Sequence, residues 1–140
     1  MLRTEAIKTI QDYLQTFGIE SQGLNDKNIG GAELGTLQVY FEYLEDKKAL
    51  NCSVLLYKFT NPPKPQLLDA FQEEGQKNDV EMGDGFVDYQ TENQCLMLTK
   101  AFKQNLPIDT FSKQMERLFS ASNYWEETVL DRVADRVFQH

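Results

Sequence analysis

The sequence predicts a single α+β domain in which the N- and C-terminal helices pack against one twisted, mostly antiparallel sheet. Three observations support this fold class. Apolar residues repeat with a helical period near both ends of the chain, they alternate with the period of a strand in four stretches between, and a proline-rich segment separates the first two strands from the last two. The resulting order over residues 1–140 is α-β-β-α-β-β-α.

The length and composition are those of an ordinary cytoplasmic domain. A chain of 140 residues can bury one sizeable core, and its 41% hydrophobic and 26% charged residues are average for soluble globular proteins. Apolar runs such as Val54–Tyr57 are far too short to cross a bilayer, and residues 1–5 lack the apolar stretch of a secretory signal. We therefore expect a cytoplasmic protein without membrane contacts.

The first helix is predicted from four apolar residues at i, i+3, i+7 and i+10, namely Ile7, Ile10, Leu14 and Phe17. We place this helix over residues 4–17, with Thr4 as its N-cap and Gly18 as its C-terminal stop. Residues 19–35 are rich in Gly, Asn and Asp and have no clear period. We expect them to form a mobile connection, part of which can extend into the first strand.

Two alternating stretches then predict a hairpin. In Leu37–Leu44 the apolar residues occupy every second position, and Leu50–Phe59 continues this pattern after the polar turn at residues 45–48. The second strand becomes apolar on both faces toward its far end. This end is therefore expected to be covered by another element or another subunit.

A short helix and a second hairpin follow the segment Asn61–Pro65, which must break the strand because proline cannot join a central ladder. Pro65 is well suited to the first position of a helix, and Gly75 to its end. After a loop around residues 82–85, two strands flank the turn at residues 91–93. We predict these strands at Phe86–Gln90 and Gln94–Thr99.

The last helix is predicted to begin after Leu106-Pro107, with Asp109 as its cap. Its apolar residues trace one continuous stripe of about six turns. The members of this stripe are Phe111, Met115, Leu118, Ser122, Trp125, Val129 and Val133.

The charge balance opposes nucleic-acid binding, because 14 scattered Lys and Arg residues are outnumbered by 22 acids and the net charge is −8. An acidic surface favours solubility and basic or amphipathic protein partners. Cys52 and Cys95 both fall within predicted strands, so we expect them to be reduced and packed.

No group of residues resembles catalytic or metal-binding machinery. The only histidine is His140, so histidine-based catalytic triads and histidine-rich zinc sites lack their central group. Residues 30–35 resemble a phosphate-binding loop only in composition, and Asp84, Asp88 and Glu92 lack the spacing of a calcium loop. We therefore expect neither an enzyme nor a bound cofactor or metal.

Five patterns, spread over nearly the whole chain, together resemble a known family. They are the opening helix through Phe17-Gly18-Ile19, the hairpin Leu37–Phe59, the Pro-Pro-then-Leu67-Leu68 helix, the strand Gln94–Thr99, and the helix from Leu106-Pro107-Ile108-Asp109 to Trp125. Their order on an acidic chain of this length resembles the class I type III secretion chaperones, the Tir-chaperone-like family.

This resemblance implies a homodimer that binds the N-terminal segment of a secreted effector polypeptide in extended form, without ATP. The partner-binding residues that it implies are Leu14, Phe17, Val39, Phe41, Val54 and Leu56. The dimer-interface residues that it implies are Leu67, Leu68, Phe71, Phe86 and Met97.

The sequence departs from the family pattern in two places and leaves two other functions open. The segment Gly75–Gly85 is unusually polar, and the part of the chain after Trp125 is longer than usual. One alternative is a regulatory or scaffold protein that uses this fold outside secretion. The other is an enzyme or small-ligand binder with a pocket between the last helix and the sheet, where acids or Tyr89 would be the chemical groups.

Overall fold

The computed structural model describes residues 1–77 and 85–138. Helix α1 spans Arg3–Gln15, and strands β1, β2 and β3 span Ile29–Leu34, Leu37–Leu44 and Ala49–Lys58. Helix α2 spans Pro65–Lys77, and strands β4 and β5 span Phe86–Gln90 and Cys95–Phe102. Helix α3, at Ile108–Tyr124, continues through a π-helical turn at Trp125–Val129 into helix α4 at Leu130–Phe138. Most of the loop predicted around residues 82–85 lies outside the described residues.

The five strands form one sheet in the order β1-β2-β3-β5-β4, and every neighbouring pair is antiparallel. Val39 lies opposite Val54, and Val54 lies opposite Leu98, so these three residues form a row across the middle of the sheet. All three are buried. Side chains on this face form a single cluster with the apolar residues of the helices. The predicted α+β class is thus confirmed, with one strand more than expected.

The additional strand is β1, and the prediction of a mobile connection at residues 19–35 was wrong. Gly30 and Gly31 weaken the strand pattern in the sequence. Close packing of the backbone explains why a residue without a side chain is needed at Gly30. A Cβ added to Gly30 would lie 2.1 Å from the carbonyl oxygen of Gly23. The preceding loop therefore packs directly against β1, and the next residue of that loop, Leu24, is buried.

The loop before β1 is also held by hydrogen bonds. The side-chain oxygen of Asn25 accepts hydrogen bonds from the backbone N–H groups of Lys27 and Ile29, at 2.9 and 3.0 Å. Arg3 Nε donates to Asn28 Oδ1 at 2.6 Å, which ties the loop to the start of α1. Such side-chain to backbone bonds order a segment without regular periodicity.

The predicted helix ends were partly wrong. Helix α1 begins one residue before Thr4, and the Leu2 N–H, not a threonine cap, is satisfied by Glu5 Oε1 at 2.7 Å. The Gly18 stop is confirmed, because this glycine has φ +74° and follows the last helical turn. Helix α2 continues two residues past Gly75. Asp109 lies inside the first turn of α3 and makes no capping hydrogen bond.

The predicted stripe of the last helix is confirmed, since all seven of its residues are buried. Phe111 lies 5.2 Å from Tyr13 of α1 and 4.8 Å from Phe102 of β5, measured between ring centroids. Trp125 lies 6.4 Å from Phe71 of α2. Trp125, Val129 and Val133 follow one another at spacings of four residues, and in an α-helix each such spacing would turn the stripe about 40° around the helix axis. The π turn at Trp125–Val129 has more residues per turn, so it keeps the stripe facing the core.

Burial also controls the ionisation of two core side chains. Burial raises the pKa of the Cys52 thiol far above its usual range. Burial raises the pKa of Tyr13 as well, with smaller contributions from Cys52 and Glu116. Both groups therefore remain neutral in the folded protein, and Cys52 is not available as a nucleophile.

We predict that Gly30→Ala lowers the free energy of unfolding by about 3 kcal/mol or more, because its Cβ would overlap a backbone oxygen that cannot rotate away. Gly31→Ala is the matched control, since its Cβ would lie 3.2 Å from the nearest atom. Urea unfolding of both variants measures the difference. Equal destabilisation would contradict the packing of the loop on β1.

The second prediction concerns alkaline pH. An unfolded cysteine ionises above a pKa of about 8.5, whereas Cys52 stays neutral when folded, so the unfolded state gains stability as the pH rises. The free energy of unfolding should then fall by about 1.4 kcal/mol per pH unit from this residue. Cys52→Ala should be less stable at pH 7 but show a flatter slope between pH 8 and 10. Parallel slopes in the two proteins would disprove this linkage.

Candidate functional site

The candidate site is a groove beside the C-terminal end of α1. Tyr13, Thr16 and Phe17 form one wall, Leu34, Gly35 and Leu37 at the turn between β1 and β2 form the second, and Ser112, Glu116 and Phe119 of α3 form the third. We call this the α1 groove. Its volume is about 540 Å³, which is within the usual range for binding clefts.

Phe17 is the most exposed aromatic residue of the α1 groove. It is 51% exposed, yet its ring packs edge-on against Tyr13 with the centroids 5.2 Å apart. Tyr13 in turn packs edge-on against Phe111 in the core. The exposed ring is thus supported by two buried aromatic rings, so little side-chain entropy remains to be lost when a partner covers it.

The structure places most of the predicted partner-binding residues in the core rather than at this groove. Leu14, Val39, Phe41, Val54 and Leu56 are all buried, because they occupy the inward face of α1 or the helix-covered face of the sheet. Of the six residues, Phe17 alone is exposed. None of the other five lines the α1 groove, and their predicted role in partner binding stays a prediction.

The sequence reasoning missed several residues of the α1 groove. Tyr13 precedes Phe17 by one helical turn, and this i, i+4 aromatic pair was the available pattern. Leu37 was assigned to a strand face, and Phe119 lies outside the stripe of the last helix. The turn between β1 and β2, which was not expected, places Leu34, Gly35 and Leu37 beside the groove residues of α1 and α3.

The predicted dimer-interface residues are also divided. Leu67, Phe71 and Met97 are buried, Leu68 is half-buried, and Phe86 is 46% exposed. Phe71 is covered by Trp125 of its own chain. Leu68 and Phe86 are therefore the two of these five residues whose side chains are appreciably exposed, and the role of all five in a dimer stays a prediction.

Strand β1 forms one edge of the sheet, next to the α1 groove. Ile29, Gly31 and Glu33 are exposed along it. Asn25 already bonds both the N–H and the C=O of Ile29, so the edge that remains for an added strand begins after that residue. Beyond it, an edge strand offers unpaired backbone N–H and C=O groups. The edge and the groove are joined through Leu34 and Gly35, so one extended polypeptide can contact both.

Groups that would support other chemistry are few. Among residues 1–77 and 85–138, no three His, Cys, Asp or Glu side chains come close enough together to hold a metal ion. The hydroxyl groups of Ser53 and Thr99 lie 2.7 Å apart on the other face of the sheet and satisfy each other. None of the described helices is both long and apolar enough to span a membrane.

No protein-family model matches this sequence, and no curated protein matches it. Several solved structures are similar in fold. A chain of the ExsC–ExsE complex matches with a TM-score of 0.71 and 10% identity, over 91% of this chain and 95% of that one. A chain of the HopA1–SchA chaperone–effector complex matches with a TM-score of 0.66 and 13% identity, over 90% and 96%.

A third similar structure is the heterodimeric ExoU–SpcU complex from the type III secretion system of Pseudomonas aeruginosa. Its TM-score is 0.53 at 14% identity, over 87% of this chain and 95% of that one. Identities this low establish the fold alone. The chain therefore has the fold seen in type III secretion chaperone–effector complexes, as its resemblance to the class I chaperones implied.

Proposed function

We propose that this protein is an ATP-independent chaperone that holds a segment of an effector-like partner polypeptide in extended form for secretion. The observation that carries the proposal is the α1 groove, an open groove with an exposed, rigidly supported aromatic ring beside an edge strand. The similar solved structures, which include a chaperone–effector complex, support the same class of function.

The geometry suits an extended partner better than a folded one. A segment that pairs with β1 would point alternate side chains to the same face of the sheet. On the side of Leu34 and Leu37 those side chains can enter the α1 groove, where Phe17 and Phe119 provide apolar contacts. Main-chain pairing then provides affinity, and the groove provides the preference for apolar side chains.

Such binding needs no nucleotide. Apolar area removed from water stabilises a complex by roughly 25 cal/mol per Å², so covering the groove is favourable by itself. The net charge of −8 would keep the complex soluble while its partner remains unfolded. We further propose that the protein acts in the cytoplasm as a homodimer and has no catalytic activity.

The experiment that tests this function is a pull-down from the native host's extract with tagged protein, followed by mass spectrometry and limited proteolysis. Capture of one protein that is protected over an N-terminal segment would support the chaperone. Capture of a folded cytoplasmic partner would instead support the regulatory or scaffold alternative. Capture of no protein at all would contradict both.

The third prediction concerns Phe17. Phe17→Asp should weaken partner binding at least tenfold, because it places a charge on the apolar contact that the partner would cover. The fold should persist, since the side chain is half exposed. Isothermal titration with the captured segment measures the loss.

The matched control for Phe17→Asp is Ile108→Asp. Ile108 is also an exposed apolar residue, and an acid at the first position of α3 is favourable beside the helix N-terminus. The affinity of the Ile108→Asp variant for the captured segment should equal that of the wild type. Equal losses in the two variants would place the binding surface elsewhere.

A further inference from the structure

A second groove lies between the start of α2, the end of β3 and the C-terminal helix α4, and we call it the α2–α4 groove. Its volume is about 640 Å³. Leu56, Leu67 and Phe71 form its apolar floor, while Tyr57 and Phe138 stand at its rim. It shares no residue with the α1 groove, so it is a separate surface.

The rim is unusually exposed for an apolar surface. Phe138 is 60% exposed and Tyr57 is 51% exposed. Exposed aromatic side chains around one groove are typical of sites of protein association. The sequence predicts that the far end of the second strand, where Tyr57 lies, is covered by another element or another subunit, and Tyr57 remains half exposed in the single chain.

The wall that carries Phe138 is firmly held. Arg132 of α4 donates a hydrogen bond to Glu74 of α2, and Arg136 lies 3.6 Å from the same carboxylate. Glu74 is buried, so these contacts are partly shielded from water. Val133, between the two arginines, is fully buried. The groove is therefore preformed, and a partner would pay little to order it.

The charges on the two walls identify the occupant. Lys64 lies on the α2 side, whereas Glu126 and Asp131 lie on the side of α4. In the part of the chain that the structure describes, none of these three groups makes an ion pair. A two-fold axis through the groove would place each copy's Lys64 opposite the acids of the other copy.

We propose that a second copy of this chain occupies the α2–α4 groove in a two-fold arrangement. The same patch carries an exposed ring, Phe138, and the apolar floor that can receive it, as an isologous contact requires. The mixed charges make the patch complementary to itself despite the acidic chain. This inference rests on the proposed homodimer and assigns its interface to α4 and the Tyr57 end of β3.

This interface differs from the one that the sequence predicted. Leu67 and Phe71 remain part of it as the floor of the groove, but Phe86 and Met97 of the second hairpin do not line it. The exposed aromatic contacts come instead from Tyr57 of β3 and from Phe138, which lies in the part of the chain after Trp125 whose extra length was the second departure from the family pattern.

The fourth prediction is that Phe138→Asp raises the dimer dissociation constant at least tenfold, whereas Phe86→Asp leaves it unchanged. Both residues are about half exposed, so both variants should fold, and circular dichroism checks this. Sedimentation velocity over a concentration series measures the constant. A wild type that stays monomeric at the highest concentration, or a dimer lost only in Phe86→Asp, would overturn the proposal.

The fifth prediction tests the charge arrangement. Lys64→Glu and Asp131→Lys should each weaken the dimer by about two- to fivefold, as expected for exposed ion pairs. The double variant should recover most of the loss, because the pair is restored with its signs exchanged. Additive losses in the double variant would show that the two residues do not face each other across the interface.

The same variants separate this inference from the proposed function. Phe138→Asp should still capture the partner segment, because its substitution lies outside the α1 groove. Retention of the dimer together with loss of the captured segment would assign the α2–α4 groove to the partner and overturn the inference. If Phe17→Asp loses capture but still forms the dimer, the result tests the proposed function and not the dimer interface.

Discussion

The packing of the C-terminal helical stripe against one face of the sheet is the constraint on which the other elements depend. Phe111 at its start contacts both α1 and β5, and Trp125 near its middle contacts α2. Each remaining helix is therefore positioned by a residue of this one stripe. Because interiors are close-packed, a shift of the stripe would move α1 and α2 together. The two grooves follow from this arrangement. The α1 groove lies beside the end of α1 and beside α3, and the α2–α4 groove lies between α2 and α4.

The exposed edge of the sheet depends on a second contact, that between β1 and the loop before it. Gly30 allows the backbone at Gly23 to approach closely, and Asn25 orders the segment in between. Without this contact β1 would be held only by its six residue pairs with β2. The edge strand and the turn at Gly35 would then be poorly defined, and so would the wall that they give to the α1 groove. A backbone contact far from Phe17 thus shapes the surface around it.

Much of the fold could be predicted from the sequence because periodicity reports which face of an element is buried. The stripe from Phe111 to Val133 and the alternation in β2 and β3 are direct readings of that burial. Strand β1 could not be predicted in this way, because Gly30 and Gly31 have no side chains to show a pattern. The cap at Asp109 failed for a different reason. The backbone at Pro107 starts the helix one residue before Ile108, which leaves the carboxylate inside the first turn.

The candidate site was harder to predict because burial in a core and burial in an interface leave the same mark on a sequence. Both favour apolar residues at regular spacing, so Leu14, Val39 and Phe41 could not be distinguished from Phe17 by pattern. What distinguishes them is whether another part of the same chain reaches them. The C-terminal helical segment decides this beside α2, since Trp125 of the π turn packs against Phe71 while Phe138 of α4 stays exposed at the groove rim. The exposed apolar surface beside α2 is therefore set by where the last helix ends its contact with the core, which only the three-dimensional arrangement reveals.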